Sequence, residues 1–170
     1  MSGQPFYGKY RGTVLGNLDP LGIGRIQVMV PDVSALLPSS WAMPCVPIAG
    51  VQMGSYFVPP IGAHVWVEFE QGDPDLPIWV GGFWGTTADV PAPALADGPA
   101  DASVVLQTPG QNAILIRDLP GPAGGIVLKS SGGATLVVND TGIHIQNGKG
   151  ASFEMTGPTV TINDGALVVT

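Results

Sequence analysis

Four sets of residues have types and spacing that could do chemistry. Glu68 and Glu70 fall on one face of an apolar strand, and two carboxylates so placed could act as acid and base in hydrolysis. No histidine accompanies them in a recognisable arrangement, so the pair lacks the partners such a site needs. Asp73 and Asp75 have the spacing of calcium ligands, but their loop lacks the further oxygen ligands and the bidentate glutamate of a calcium loop; they read as turn residues. Gly22-Ile23-Gly24 is no dinucleotide fingerprint, because no helix follows it. Cys45 is the single cysteine, so neither a disulfide nor a thiolate metal site can form within one chain; between Pro44 and Val46 it reads as a small buried apolar side chain. The sequence therefore predicts no catalytic, cofactor or metal residue, and a protein that is not an enzyme.

The elements that carry these residues are strands. From His64 to Glu70 the chain alternates, with Val65, Val67 and Phe69 on one face and His64, Trp66, Glu68 and Glu70 on the other. Gly72-Asp73-Pro74-Asp75 turns it, Ile78-Trp79-Val80 returns, and Phe83-Trp84 closes the segment with large apolar area. Upstream, Tyr10 to Leu18 reads as a strand, Asp19 to Gly24 as its turn, and Arg25 to Val30 as the return strand, ended by Pro31-Asp32. Between them Trp41, Met43, Cys45, Val46 and Ile48 sit among prolines and predict irregular or edge structure. About five strands between Tyr10 and Trp84 suit a small closed barrel of the oligonucleotide/oligosaccharide-binding (OB) type over residues 1–85.

Composition bounds the function. With 25 Gly, 17 Pro and 45% hydrophobic residues in 170, the punctuation is too dense for helices of ordinary length and the fold class is all-β. Charged residues are 11% of the chain, a lean surface of the kind that partner subunits cover. A formal charge of −7, with six scattered basic residues, argues against nucleic acid, where Lys and Arg contacts to phosphate supply most non-specific affinity. The N-terminus lacks the apolar core of a signal peptide, and no run approaches the roughly 18 residues that span a bilayer. The sequence predicts a protein made and folded in the cytosol.

Residues 86–103, rich in alanine, proline and aspartate, predict an extended linker. Over residues 104–170 short strands alternate with Gly, Asn and Asp, and apolar i, i+2 pairs recur: Ile114/Ile116, Ile126/Leu128, Leu136/Val138, Ile143/Ile145, Phe153/Met155, Val160/Ile162 and Leu167/Val169. Burying one such side chain is worth about 1.5–3 kcal/mol, while fixing each residue's backbone costs about 1–2 kcal/mol. A lone meander buries one face and falls short. Three copies around one axis converge their apolar edges on a shared dry core, which predicts a trimeric β-prism or β-helix with the first six pairs as trimer core. His144, between Ile143 and Ile145, is expected to face outward.

The order of parts resembles the baseplate spike of contractile phage tails, the baseplate assembly protein V family, and the related valine-glycine repeat (VgrG) proteins of type VI secretion. The resemblance is carried by Leu21-Gly-Ile-Gly-Arg-Ile-Gln-Val-Met-Val-Pro31, by the stretch Pro60 to Gly81 with its Gly-Asp-Pro-Asp turn, and by repeats such as Ile114-Leu-Ile-Arg-Asp118 and Thr159-Val-Thr-Ile-Asn163. It implies a homotrimeric spike, assembled in the cytoplasm, in a phage tail or phage-tail-like particle, virion or extracellular. The spike would be pushed through a target envelope on sheath contraction, meeting the membrane only mechanically. No hub-type domain precedes the barrel and no lysozyme-like insertion fits the linker, so the resemblance implies a separate baseplate hub protein. Some short spikes of this kind bind iron through an inward His-x-His; here there is only Ile143-His144-Ile145. The chain stops in strand pattern, and Leu167 and Val169 from three copies would form an apolar platform for a tip protein of the proline-alanine-alanine-arginine (PAAR) type. The competing reading makes the barrel a binding module for single-stranded nucleic acid or oligosaccharide, with Tyr56, Phe57, Trp66, Trp79, Phe83 and Trp84 as a stacking platform that lacks a basic groove.

Overall fold

The computed structural model describes residues 5–96, 98 and 103–170, which divide into two compact units, Met1–Asp89 and Val90–Thr170. The first contains β1 (Tyr10–Gly16), β2 (Gln27–Met29), the four-residue helix α1 (Pro31–Ser34), β3 (Met43–Pro44), β4 (Ala49–Gly50), β5 (Met53–Gly54), β6 (His64–Phe69) and β7 (Pro77–Phe83). Five of these strands form one sheet in the order β2-β1-β6-β7-β3. Ile26 and Ala42 exchange backbone hydrogen bonds of 3.2 and 2.8 Å, joining the β2 end of that sheet to the β3 end and closing the barrel. The alternation read along the chain is what fills it: Val14, Ile26, Val28, Val30, Ala42, Val65, Val67, Phe69 and Trp79 are buried together. Trp79 enters with its polar edge satisfied, its Nε1 donating to the Gly24 carbonyl at 3.1 Å.

The β6–β7 turn is tighter than the Gly-Asp-Pro-Asp cluster alone implies. Glu70–Gly72 form a 3-10 turn in which Gln71 has φ 53° and Gly72 φ 82°. The Gly72 carbonyl accepts the Phe6 amide at 2.9 Å, and a Cβ on Gly72 would collide with Pro5 and Phe6, so this glycine admits the N-terminal strap. Asp73 and Asp75 are turn residues as read, the Asp73 carboxylate accepting the Asp75 amide at 3.0 Å. Glu70 belongs to the turn rather than the strand and is exposed, while Glu68 stays on β6 and pairs with Lys9. The two carboxylates do not share a strand face, because the chain leaves extended geometry at Glu70.

Cys45 is exposed, not buried. It follows the two-residue strand β3, which pairs in parallel with β7, and its amide donates to the Trp79 carbonyl at 2.9 Å. This edge is held through its backbone, so flanking apolar neighbours do not carry the thiol into the core.

The Asp19 turn proved to be a clamp. The Asp19 carboxylate accepts the Leu21, Ile23 and Arg25 amides at 3.0, 3.0 and 3.2 Å, and the Arg25 guanidinium binds it through Nε at 3.0 Å and Nη2 at 2.6 Å. Arg25 in turn lies 5.4 Å over the Trp41 ring. The guanidinium foremost, with the three amides, holds the Asp19 carboxyl well below the usual carboxylate range against the opposing effect of desolvation. A folded-state pKa below the unfolded value near 4 means that the clamp stabilises the barrel above about pH 4, and that this stability is lost as pH falls through the depressed folded value. Asp19→Asn is therefore expected to lower the denaturation midpoint at pH 7 and to flatten its decline below about pH 4. Denaturant titrations at pH 7, 4 and 3 check this, and parallel pH profiles for both proteins would refute it.

The second unit opens on α2 (Ala92–Leu95) and continues with β8 (Ser103–Gln107), β9 (Ala113–Arg117), β10 (Gly125–Lys129), β11 (Thr135–Asn139), β12 (Gly142–Gln146), β13 (Ser152–Thr156), β14 (Thr159–Ile162) and β15 (Leu167–Val169). The stretch expected to run extended holds two helical turns, Thr87–Asp89 and α2, since alanine favours helix and Pro93 in the first turn presets φ without losing an intrahelical bond. Residues 97 and 99–102 of that stretch lie outside the described residues. The eight strands form one antiparallel meander in chain order, each paired only with its sequence neighbours. The loops between them stack through side-chain amides: the Asn112 carbonyl accepts the Ser131 amide at 3.0 Å and the Asn163 carbonyl the Ser152 amide at 3.1 Å.

Candidate assembly interface

Strand alternation and pairing register together decide which side chains meet. Directly opposite residues bring Leu106, Ile114, Leu128, Leu136, Ile145, Phe153, Ile162 and Leu167 into one row across all eight strands. Val104, Ile116, Ile126, Val138, Ile143, Met155, Val160 and Val169 form a second row beside it on the same face. Every side chain of the seven i, i+2 pairs lies in these rows. The unequal steps along the chain disappear in space because loops of different length absorb them. Val104 and Leu106 were missed: in Ser103–Gln107 the run Val104-Val105-Leu106 is apolar at every position, so parity cannot be read there without the partner strand.

No polar residue interrupts either row, and in a single chain most of both rows is exposed, with Leu136, Ile143, Phe153, Val160 and Ile162 half-buried. Ile114, Ile116, Ile126, Leu128, Ile145 and Met155 are exposed, and Val169 at the end reaches 55%. Contiguous apolar area on this scale marks an interaction surface. The opposite face is different in kind. Its central row begins with Val105, Leu115, Val127 and Val137 and ends with His144, Glu154 and Thr161. His144 Nε2 lies 3.2 Å from the Thr141 hydroxyl and Nδ1 lies 3.9 Å from a Glu154 carboxylate oxygen, so the imidazole sits on the face away from Ile143 and Ile145. Leu115 is 5% exposed on this face, and Arg117 Nη2 donates to the Pro93 carbonyl at 3.3 Å, tying the strand to α2.

Of the stacking platform in the competing reading, Tyr56, Phe57 and Trp84 are exposed, while Trp66, Trp79 and Phe83 are engaged within the unit. Trp79 is in the barrel core, and Trp66 packs on Phe83 with ring centroids 4.8 Å apart while Arg11 lies 5.7 Å from the Trp66 centroid. Of the barrel unit's other basic residues, Lys9 is paired with Glu68 and Arg25 with Asp19. A phosphate chain would meet one cation, Arg11, already over an aromatic ring. Among the described residues no helix is long and apolar enough to cross a membrane.

A closed OB barrel followed by a sheet with one unbroken apolar face defines a class: a barrel module joined to an assembly module. Comparison with known families makes it specific. Residues 10–84 match the family model for the type VI secretion system/phage-baseplate injector OB domain, and residues 103–168 match that for the phage baseplate V C-terminal trimerisation domain. The chain belongs to the phage baseplate V family, a family of structural baseplate proteins, and is a component of a phage tail or type VI-like injection apparatus. It matches none of the curated proteins.

Proposed function

We propose that this chain is the central spike of a contractile injection particle, a homotrimer seated on a separate hub protein and driven through the target envelope when the sheath contracts. The observation that carries the reading is the pair of uninterrupted apolar rows. Two rows of eight side chains on one face are what three copies need to converge on a common axis, giving a β-prism whose flat sides are the three meanders. On this reading Ile114, Ile116, Ile126, Leu128, Leu136, Val138, Ile143, Ile145, Phe153, Met155, Val160 and Ile162 form the trimer core, joined by Val104 and Leu106. Assembly takes place in the cytoplasm, before the particle is released. Light scattering on the purified chain at low micromolar concentration is expected to give three chains, and a monomer would reject the proposal.

At the far edge of the meander β15 pairs only with β14, leaving its other backbone edge open, and Leu167 and Val169 are 54% and 55% exposed. Open edge and apolar tip together favour capping by a partner, for which a PAAR-like tip protein is the candidate. Deleting Leu167 to Thr170 is expected to abolish pull-down of such a protein when the two are co-expressed. Unchanged recovery would exclude this end as the docking site.

A further inference from the structure

In a threefold ring each protomer meets its two neighbours through unlike surfaces, so the interface needs a projecting part and a receiving part on every copy. The barrel unit has both. Strands β4 and β5 form a two-stranded ribbon outside the barrel sheet, closed by the Ser55 amide on the Ile48 carbonyl at 3.1 Å. Every residue from Pro47 to Gly54 is exposed; at the tip Val51 is 95% exposed and Met53 59%. A lone two-stranded ribbon is marginal in water, and this one rests neither face on its own barrel. The receiving part is a cavity of about 570 Å3 lined by Pro59, Pro60, Ala63, His64, Phe83 and Trp84. Asp89 also reaches it, but its Oδ2 is engaged by the Thr86 amide at 2.8 Å.

Charge selects the occupant. No Asp, Glu, Lys, Arg or His occurs between Val33 and Ala63, although the chain carries −7 overall. Copies of one acidic chain repel wherever like charges meet, and a ribbon without charge approaches a second copy free of that cost. The matched trimerisation domain at residues 103–168 also holds the barrels at high effective concentration.

We infer that the Val51–Met53 tip of each barrel seats in the cavity of the next copy, closing three barrels into a head-to-tail ring. This rests on the homotrimer proposed above, and the test separates the two. In a Cys45→Ser background, Val51→Cys combined with Pro60→Cys is treated with a short bismaleimide. Denaturing gels are expected to show covalent dimers and trimers, absent from either single-cysteine chain. A chain that light scattering shows to be trimeric but that does not cross-link overturns the ring alone, as does cross-linking by Val51→Cys without its partner. A monomeric chain overturns the trimer and the ring together. As a second measurement, the iodide quenching owed to Trp84, read as the difference between a chain and its Trp84→Phe counterpart, is expected to rise when Val51→Asp is introduced, because Trp84 loses its cover. Equal quenching of Trp84 before and after Val51→Asp would mean that the tip is free in the trimer and serves a different protein, contrary to the ring.

Discussion

Ile143→Asp and Ile145→Asp are each expected to abolish trimer assembly, while His144→Ala leaves it intact. The two isoleucines stand in adjacent apolar rows, Ile143 between Val138 and Met155 and Ile145 between Leu136 and Phe153. Truncating a buried isoleucine costs about 2–5 kcal/mol in lost packing before any charge is considered. Three carboxylates at one level of a shared core add desolvation and mutual repulsion, each worth several kcal/mol. His144 faces the other way, and its partners Thr141 and Glu154 make contacts of the surface kind, worth about 1 kcal/mol or less. Size-exclusion chromatography with light scattering on the three variants reads the result. Equal tolerance at all three positions would show that the two-row face is not the trimer core.

Gly142→Ala is expected to disrupt the second unit although it adds one methyl group to a turn. Gly142 opens β12 with φ 146°, and a Cβ there would collide with the Met155 carbonyl oxygen on β13, far inside the contact distance of carbon and oxygen. The obstacle is backbone, so no side-chain rotation relieves it. β12 and β13 must separate at the level where Ile143 pairs with Met155, which displaces both apolar rows. Gly157→Ala is the control: Gly157 has φ 55° in the next turn on that side, with nothing within 4 Å of an added Cβ. Its cost is the left-handed backbone, about 1–2 kcal/mol, with the restriction that Pro158 places on the residue before it. Thermal melts are expected to show a fall of more than about 5 °C for Gly142→Ala beyond that of Gly157→Ala. Equal shifts would mean that conformation, not the close approach of the two strands, sets the requirement for glycine.

Much of this architecture is local in origin and was legible in the chain. Period-two alternation in His64–Phe69 predicted which side chains fill the barrel, because in a strand successive side chains must point to opposite faces whatever lies around them. The i, i+2 pairs after Asn112 likewise assigned a common face to residues on different strands, and the motifs between Leu21 and Gly81 carried the family resemblance. What depends on which residues become neighbours across the chain was not legible. Cys45 looked buried by its neighbours in sequence, yet β3 lies at an edge and is held by its backbone. Asp19 read as a turn residue, and only the folded loop brings Arg25 and three amides onto its carboxylate. Glu70 shared Glu68's parity until the chain left extended geometry at that residue. Unequal steps of 12, 10 and 7 residues hid the two unbroken rows, since sequence spacing counts loop residues whereas pairing register discards them. Side-chain parity is a property of the extended backbone and is written in sequence; opposition, exposure and charge pairing are properties of distance, and they exist only once the sheet has closed.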